Sequence, residues 1–323
     1  MLFIQWLFCW SLITSSLVAL SARTPFYTWA RLEINTIAFI PIILDPNKPE
    51  AVRATIKYFF IQAYASIIFL VGPLLTTLPE FTIFIAILIK LGISPFHNWY
   101  PAVISRLNWS AALFLSTWQK IAPLWILTEN TNNFSLIPVL AALNALVGGL
   151  GGLIQTEIRP LLAFSSIGHI GWLGYALPHS NPITLFYFVS YTAHLIILIN
   201  FMYLANIDTP KDLSSSTFIT RSNKIILALT LLSLGGLPPL FGFIPKLIIL
   251  LISLPLSILP IFLIIGRYLN IYYYITIIWT NFITSPQPFH HTHTIKNIIH
   301  LAALIFSTLF IILICGLNIH LEP

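Results

Sequence analysis

Residues 84–106 read FIAILIKLGISPFHNWYPAVISR. The stretch opens as hydrocarbon from Phe84 to Ile89, takes in Lys90, and is then interrupted by Gly92, Ser94 and Pro95. An ammonium group thus sits inside an apolar run, beside helix breakers. Proline removes a backbone donor and disrupts the turn before it. In lipid the freed polar groups find no partner, so such a break must be buried in protein or line a hydrated cavity. The lysine then stands where water can reach it.

The whole chain has the same solvent problem. Of its 323 residues, 58% are hydrophobic and 7% are charged. A soluble domain carries roughly a quarter charged residues, so this chain cannot cover itself with polar groups and lipid must surround it. Spans are predicted near 2–22, 25–44, 56–78, 81–104, 109–128, 134–154, 160–177, 183–205, 224–252, 256–283 and 297–318. The first, beginning MLFIQWLFCW, lacks a basic leader and a small-residue cleavage site and reads as a span. Cys9 and Cys315 lie inside apolar runs, with no CxxC pattern. The Pro- and His-rich segment SPQPFHHTHT at 285–294 reads as a solvated loop, because His290, His291 and His293 have no acidic or Cys ligand beside them.

Loop charge supports this count. On the side holding the N-terminus fall Lys48, Arg53, Lys57, Arg106, Arg159, Lys211, Arg221, Lys224 and Lys296, and on the other only Arg23. By the positive-inside rule the N-terminal side is the side of insertion. The net charge of +6 is therefore topological. Cations spread over separate loops are no footprint for nucleic acid.

Six charged residues remain inside the spans: Arg31, Glu33, Lys90, Lys120, Lys246 and Arg267. Each costs on the order of 3 kcal/mol if it faces lipid alone, so such residues face a bundle interior or a watery cavity and mark ion pathways. Arg31 is near enough to a helix end to snorkel. Glu33 is the only intramembrane carboxylate and cannot neutralise three lysines. At least two lysines therefore lack an acidic partner in this chain, a condition that suits loading and releasing protons. His97, His169 and His194 add groups able to relay them.

A second interrupted span carries GGLPPLFGF at 235–243. The two breaks lie five spans apart and so cross the membrane in opposite directions. Paired interrupted helices in corresponding halves point to a transport site between inverted repeats. The division is a first repeat over about 1–128, a second over about 134–283 and a C-terminal helix over about 297–318. Lys90 precedes its break and Lys246 follows its break, and the inversion makes them candidate equivalents.

Several stretches together resemble the NADH–ubiquinone oxidoreductase chain 2 family of respiratory complex I. They are WARLEINTIAFIPI (29–42), KYFFIQAYAS (57–66), KLGISPFHNWYP (90–101), TWQKIAP (117–123), GGLGGLIQTEIRPLLAFSSIGHIGW (148–172) and LLSLGGLPPLFGFIPK (231–246). They run in order over 29–246; beyond about 250 the likeness is in hydropathy only. The resemblance implies an all-α polytopic membrane protein of about eleven helices with antiporter-like inverted repeats. It assigns Glu33 as the carboxylate that pairs with the broken-helix lysine Lys90, Lys120 as the next lysine on a central axis, Lys246 as the lysine of the second break, and His169 as a polar relay. The family usually has a neutral residue at the place of Arg31, and an arginine nearer Thr276 than Arg267.

The resemblance further implies a proton-translocating membrane-arm subunit, enzymatic as part of NADH:ubiquinone reductase, with other membrane-arm subunits and lipids as partners. This sequence has no GxGxxG fingerprint and no cysteine cluster. NAD, flavin, iron–sulfur clusters and ubiquinone are expected on other subunits and no cofactor in this chain. The expected location is the mitochondrial inner membrane, N-terminus to the matrix and C-terminus to the intermembrane space. Two rival readings use the same residues: a stand-alone cation/proton antiporter, and a structural subunit with frozen ion pairs.

Overall fold

A computed structural model describes residues 2–22, 24–75, 79–129, 136–205, 207–209, 212, 221–238, 240–253 and 258–283. The predicted span at 297–318, Lys296, Cys315 and the histidines of the 285–294 segment lie outside the described residues. Among the described residues the structure is helical, with no strand. The helices are α1 Leu2–Ser21, α2 Pro25–Ile43, α3 Pro49–Leu75, α4 Pro79–Leu91, α5 Trp99–Ile104, α6 Trp109–Ser116, α7 Trp118–Glu129, α8 Ile137–Leu153, α9 Ile158–Ala176, α10 Asn181–Ala205, α11 Arg221–Gly235, α12 Phe243–Ser253 and α13 Leu259–Ile283. Pro49–Leu74, Asn181–Ala205 and Leu259–Thr280 are each long and apolar enough to cross a membrane unaided.

The surface is inside-out relative to a soluble protein. Trp6, Trp10, Phe60, Tyr64, Tyr268, Tyr272 and Trp279 are exposed, while Lys90, Lys120 and Lys246 are buried. Apolar side chains facing outward and ammonium groups facing inward are what a lipid solvent selects.

Two element boundaries differ from the sequence reading. Helix α3 starts at Pro49, seven residues before the predicted span, so Arg53 and Lys57 ride exposed on its first turns instead of in a loop. Proline at the first position and Glu50 in the first turn favour that start. Lys224, also assigned to a loop, is buried near the start of α11. The predicted span 109–128 is divided at Thr117. Ser116 and Thr117 each turn their hydroxyls back onto the carbonyl four residues earlier, Ala112 and Leu113, both at 2.7 Å. Such back-bonding bends helices.

Both predicted breaks are present, and they are built alike. Helix α4 ends with Gly92 at φ +68°, where Gly92 N–H donates to Ile89 O (3.1 Å) and Ile93 N–H to Leu88 O (2.9 Å). Helix α11 ends with Gly236 at φ +81°, where Gly236 N–H donates to Ser233 O (2.9 Å) and Leu237 N–H to Leu232 O (3.1 Å). This paired pattern is a Schellman cap, and glycine supplies the left-handed residue it requires. The first break also holds a cis Ser94–Pro95 bond.

The shared cap corrects one expectation. A two-fold rotation preserves chain direction, so equivalent residues keep their order relative to a break. Aligned on Gly92 and Gly236, Lys90 corresponds to Leu234 and Lys246 to Ala102. The two lysines come from opposite halves of their broken helices and are not positional equivalents.

Helices α8, α9 and α13 form a tight group. A Cβ placed on Gly148 would lie 2.5 Å from the Gly168 nitrogen, and one on Gly266 would lie 2.3 Å from the Ala145 carbonyl oxygen. Backbones meet there almost without side chains between them, as small residues permit in membrane helices. This group holds the inner face of α9, which supplies the middle of the polar axis described next.

Candidate functional site

Lys90 occupies the last turn of α4, where the helix dipole favours a cation. Its Nζ is buried and has no hydrogen-bond partner among the described residues. Two carbonyls at the end of α4 are met by neutral side-chain donors. Trp99 Nε1 donates to Ile89 O at 3.0 Å, and Gln62 Nε2 to Lys90 O at 3.4 Å. Beyond the glycine, the Ser94 N–H donates to Asn144 Oδ1 of α8 at 2.7 Å.

Glu33 lies on α2, half-buried, with its Oε2 shielded and unpartnered. No ion pair within 4.0 Å joins it to Lys90 among the described residues. The pairing that the resemblance implies is therefore not a contact pair here but a longer-range one. A small cavity beside Lys90 is lined by Asn35, Tyr58, Gln62, Gln119 and Lys120 and gives about 20 Å³ to water centres. One water needs roughly 10–15 Å³ by that measure. The cavity puts Lys90 and Lys120 on the walls of one chamber, with apolar residues such as Leu32, Leu115 and Pro123 between the polar groups.

Lys120 sits one turn beyond the interruption at Thr117. Its Nζ donates to Ser166 Oγ of α9 in a short hydrogen bond and to Tyr191 OH of α10 at 3.5 Å. It lies 5.0 Å from the Tyr100 ring centroid and 5.4 Å from that of Tyr191, within cation–π range. Ser166 also accepts from Tyr191 OH at 2.9 Å. A hydroxyl has two lone pairs and one proton. With both lone pairs taken, Ser166 donates to Tyr100 OH at 2.8 Å, and Tyr100 donates to Ser116 at 3.2 Å. Ser116 completes the series onto the Ala112 carbonyl. Each hydroxyl in this buried row has an acceptor, and the direction of the row is set by the proton on Lys120.

His169 follows one turn after Ser166. Its ring lies 4.7 Å from the Tyr191 ring, and Nδ1 is 2.8 Å from Tyr187 OH, while Nε2 is buried without a partner. A second small space, giving about 10 Å³ to water centres, is lined by His169, Tyr187, Tyr191, His194, Ser233 and Lys246. Lys246 reaches into it from the first turn of α12. Its Nζ donates to Leu234 O at 2.7 Å and Gly235 O at 3.2 Å, the last carbonyls of α11. Arg267 of α13 donates to Gly236 O in a short hydrogen bond.

The structure thus strings Lys90, Lys120, His169 and Lys246 along one buried polar axis, with Glu33 near its first end. Sequence reading missed Ser166, Tyr191 and Tyr100, which surround Lys120, and Asn144, which holds the Ser94 N–H at the first break. The paired serines of FSSIGHIGW were the available signal. Arg31 is half-buried on α2. On the loop side, Arg159 pairs with Asp208 and lies 5.0 Å from the Trp109 ring. The Thr209 N–H, 2.7 Å from Asp212 Oδ2, holds the Asp212 carboxyl below its usual range. Among the described residues no group of three or more His, Cys, Asp or Glu is placed to hold a metal ion.

Residues 73–271 match the family described as NADH:quinone oxidoreductase/Mrp antiporter, TM. NADH-ubiquinone oxidoreductase chain 2 of Lumbricus terrestris is 35% identical over 327 residues, covering 97% of this chain and 95% of its own. The protein of the same name from Xenopus laevis is 38% identical over 296 residues, covering 85% of each. A chain of respiratory complex I from Thermus thermophilus superposes with a TM-score of 0.81 at 22% identity, over 99% of this chain and 79% of that one. A chain of the Mrp complex from Dietzia sp. superposes with a TM-score of 0.68 at 18% identity, over 83% and 58%.

Proposed function

The chain belongs to the NADH-ubiquinone oxidoreductase chain 2 family, and from that premise we propose that its buried axis is the path by which this subunit of respiratory complex I moves protons. The chain is a membrane-arm subunit of an enzyme that couples NADH-to-ubiquinone electron transfer to proton pumping. Its own residues bind and pass protons. Redox cofactors belong on other subunits.

The supporting observation is the continuous row from Lys90 through the first cavity to Lys120, Ser166 and Tyr191, then His169 and Lys246. While Lys120 is protonated, the row points away from it. Once Lys120 gives up its proton, its nitrogen becomes an acceptor and the hydroxyl row can reverse. A change in the surroundings of Glu33 alters the field at Lys90, and by that route switches Lys90 between holding and releasing a proton. The two-repeat division, over about 1–128 and 134–283, gives each half one broken helix to supply.

The excess of cations on the N-terminal side, which holds with Arg53, Lys57 and Lys224 placed on helices, supports a matrix-facing N-terminus in the mitochondrial inner membrane, with the C-terminus in the intermembrane space and neighbouring membrane-arm subunits and lipids around the outer face. Protease cleavage of the 206–224 loop from the matrix side only is the expected result in oriented vesicles; cleavage from the opposite side would end that orientation.

The test of the path is Lys120→Leu in a genetically tractable complex I, with protons pumped per electron measured and assembly checked on native gels. Loss of pumping in an assembled complex supports the path. Full pumping would reduce these charges to structural ones. A stand-alone cation/proton antiporter predicts exchange by this chain purified alone; the present reading predicts none.

A further inference from the structure

The second break is held shut by a clip that no lysine belongs to. Ser233 lies in the last turn of α11, and Gly242 immediately precedes α12. The Gly242 N–H donates to Ser233 Oγ at 3.2 Å, and the same Oγ is in short hydrogen-bond contact with His194 Nε2. His194 Nδ1 lies 2.6 Å from the Ser190 carbonyl oxygen, which can only accept. Nδ1 therefore carries the proton. In the neutral ring, Nε2 is then an acceptor and the Ser233 hydroxyl its donor. The direction is fixed throughout: Gly242 to Ser233, Ser233 to His194, His194 to Ser190. Both side chains of this row, Ser233 and His194, are buried.

Packing enforces the same closure. A Cβ on Gly242 would lie 1.9 Å from the Ser233 carbonyl oxygen. The His194 ring stacks on Phe241 within the break, with centroids 6.2 Å apart and planes 25° apart. Lys246 is four residues beyond Gly242, and its side chain crosses Gly236 so closely that a Cβ there would lie 2.9 Å from Lys246 Cδ. The reach of Lys246 to Leu234 O and Gly235 O therefore depends on α12 staying where the clip puts it.

We infer that His194 is a positioning residue: as an acceptor at Nε2 it orients Ser233, clips Gly242 to the end of α11 and so keeps Lys246 on the carbonyls of the break. The inference rests on Lys246 serving the path proposed above. A relay would require Nε2 to take up a proton. A clip requires only an acceptor there, and glutamine places its carbonyl oxygen near the Nε2 position without a titrating group.

The experiment compares His194→Gln, His194→Leu, Ser233→Ala, the His194→Leu/Ser233→Ala double variant and Lys246→Leu in an intact complex I of a tractable host. Protons per electron are measured, with assembled complex quantified on native gels. His194→Gln is expected within about twofold of the unsubstituted enzyme. His194→Leu and Ser233→Ala should each fall roughly fivefold, and the double variant no further, because they remove one shared interaction. If the leucine variant fails to assemble, glutamine against Ser233→Ala carries the comparison. Glutamine as inactive as leucine, or as Ser233→Ala, overturns the inference and makes His194 a carrier. Full pumping in His194→Leu overturns it as well. Pumping lost in Lys246→Leu but kept in His194→Leu removes this inference alone, whereas full pumping in Lys246→Leu removes the path reading and this inference together.

Discussion

The two broken helices end in the same cap but treat their lysines in opposite ways. At the first break the side-chain donors to the terminal carbonyls of α4 are Trp99 and Gln62, both neutral, and Lys90 is left unpartnered beside a small cavity. At the second, the carbonyl that corresponds to that of Lys90, Leu234 O, is met by Lys246 itself. Arg267 takes the next turn. The difference separates two uses of a buried charge. Lys90 can lose its proton without leaving any backbone group unsatisfied. Lys246 cannot leave its place without opening two carbonyls in a site where lipid offers nothing in exchange. A broken helix thus makes room for a charge, and the neighbouring side chains decide whether that charge is free or fixed.

The contrast is tested most severely at Lys246. Lys246→Leu should abolish pumping and also destabilise, because two buried carbonyls lose their donor at about 1–3 kcal/mol each. Reduced assembled complex on native gels, together with lost pumping, is the expected pair of results; a normally assembled complex would mean that Lys246 does not cap the break. Lys90→Leu comes next. It should stop pumping as fully, yet leave assembly unchanged or slightly improved, since removing an unpaired buried charge relieves a desolvation cost. Poor assembly of this variant would erase the distinction between the two breaks.

Glu33→Gln should have a smaller effect. With no contact ion pair to break, it removes only a longer-range field on Lys90, and pumping should fall severalfold without vanishing. An effect as large as that of Lys90→Leu would show that the two groups act as one unit. The mildest change is Trp99→Phe, which keeps the ring and removes the Nε1 donor to Ile89 O. A loss of about 1 kcal/mol is expected, read as earlier thermal disassembly with pumping retained. Loss of pumping at full stability would give Trp99 a part in the path.

Sequence alone located the breaks because glycine and proline are punctuation with a physical cause, and it located the lysines because a charge in an apolar run has so few tolerable places. It did not reveal what joins them. Ser166 and Tyr191 each stand beside other hydroxyl residues on apolar helices, Ser165 before the one and Ser190 and Thr192 around the other, and nothing in their spacing says which of them faces a lysine. The division at Thr117 was hidden for a related reason: a hydroxyl folded back on its own helix looks in sequence like one directed at a partner. The order of lysine and break was visible but misread as a sign of equivalence, and only the two cap glycines supply the correct alignment. The separation of Glu33 from Lys90 depends on how α2 and α4 are placed across α3, which no local pattern encodes.

The glycine-to-backbone contacts of α8, α9 and α13 bear on how large a motion transport can involve. Helices separated by long side chains can slide, because rotamers absorb the displacement. At Gly148 against Gly168 and Gly266 against Ala145 there is scarcely a side chain to absorb anything. The inner wall of the second half therefore behaves as a stiff keel, and rocking one bundle against another, as carriers of larger solutes do, would tear contacts that have no slack. What remains free to move is small: a lysine stem, a hydroxyl hydrogen, a water. Those are the sizes a proton carrier needs, and they place the working stroke of this subunit at the scale of single bonds turning within a rigid frame.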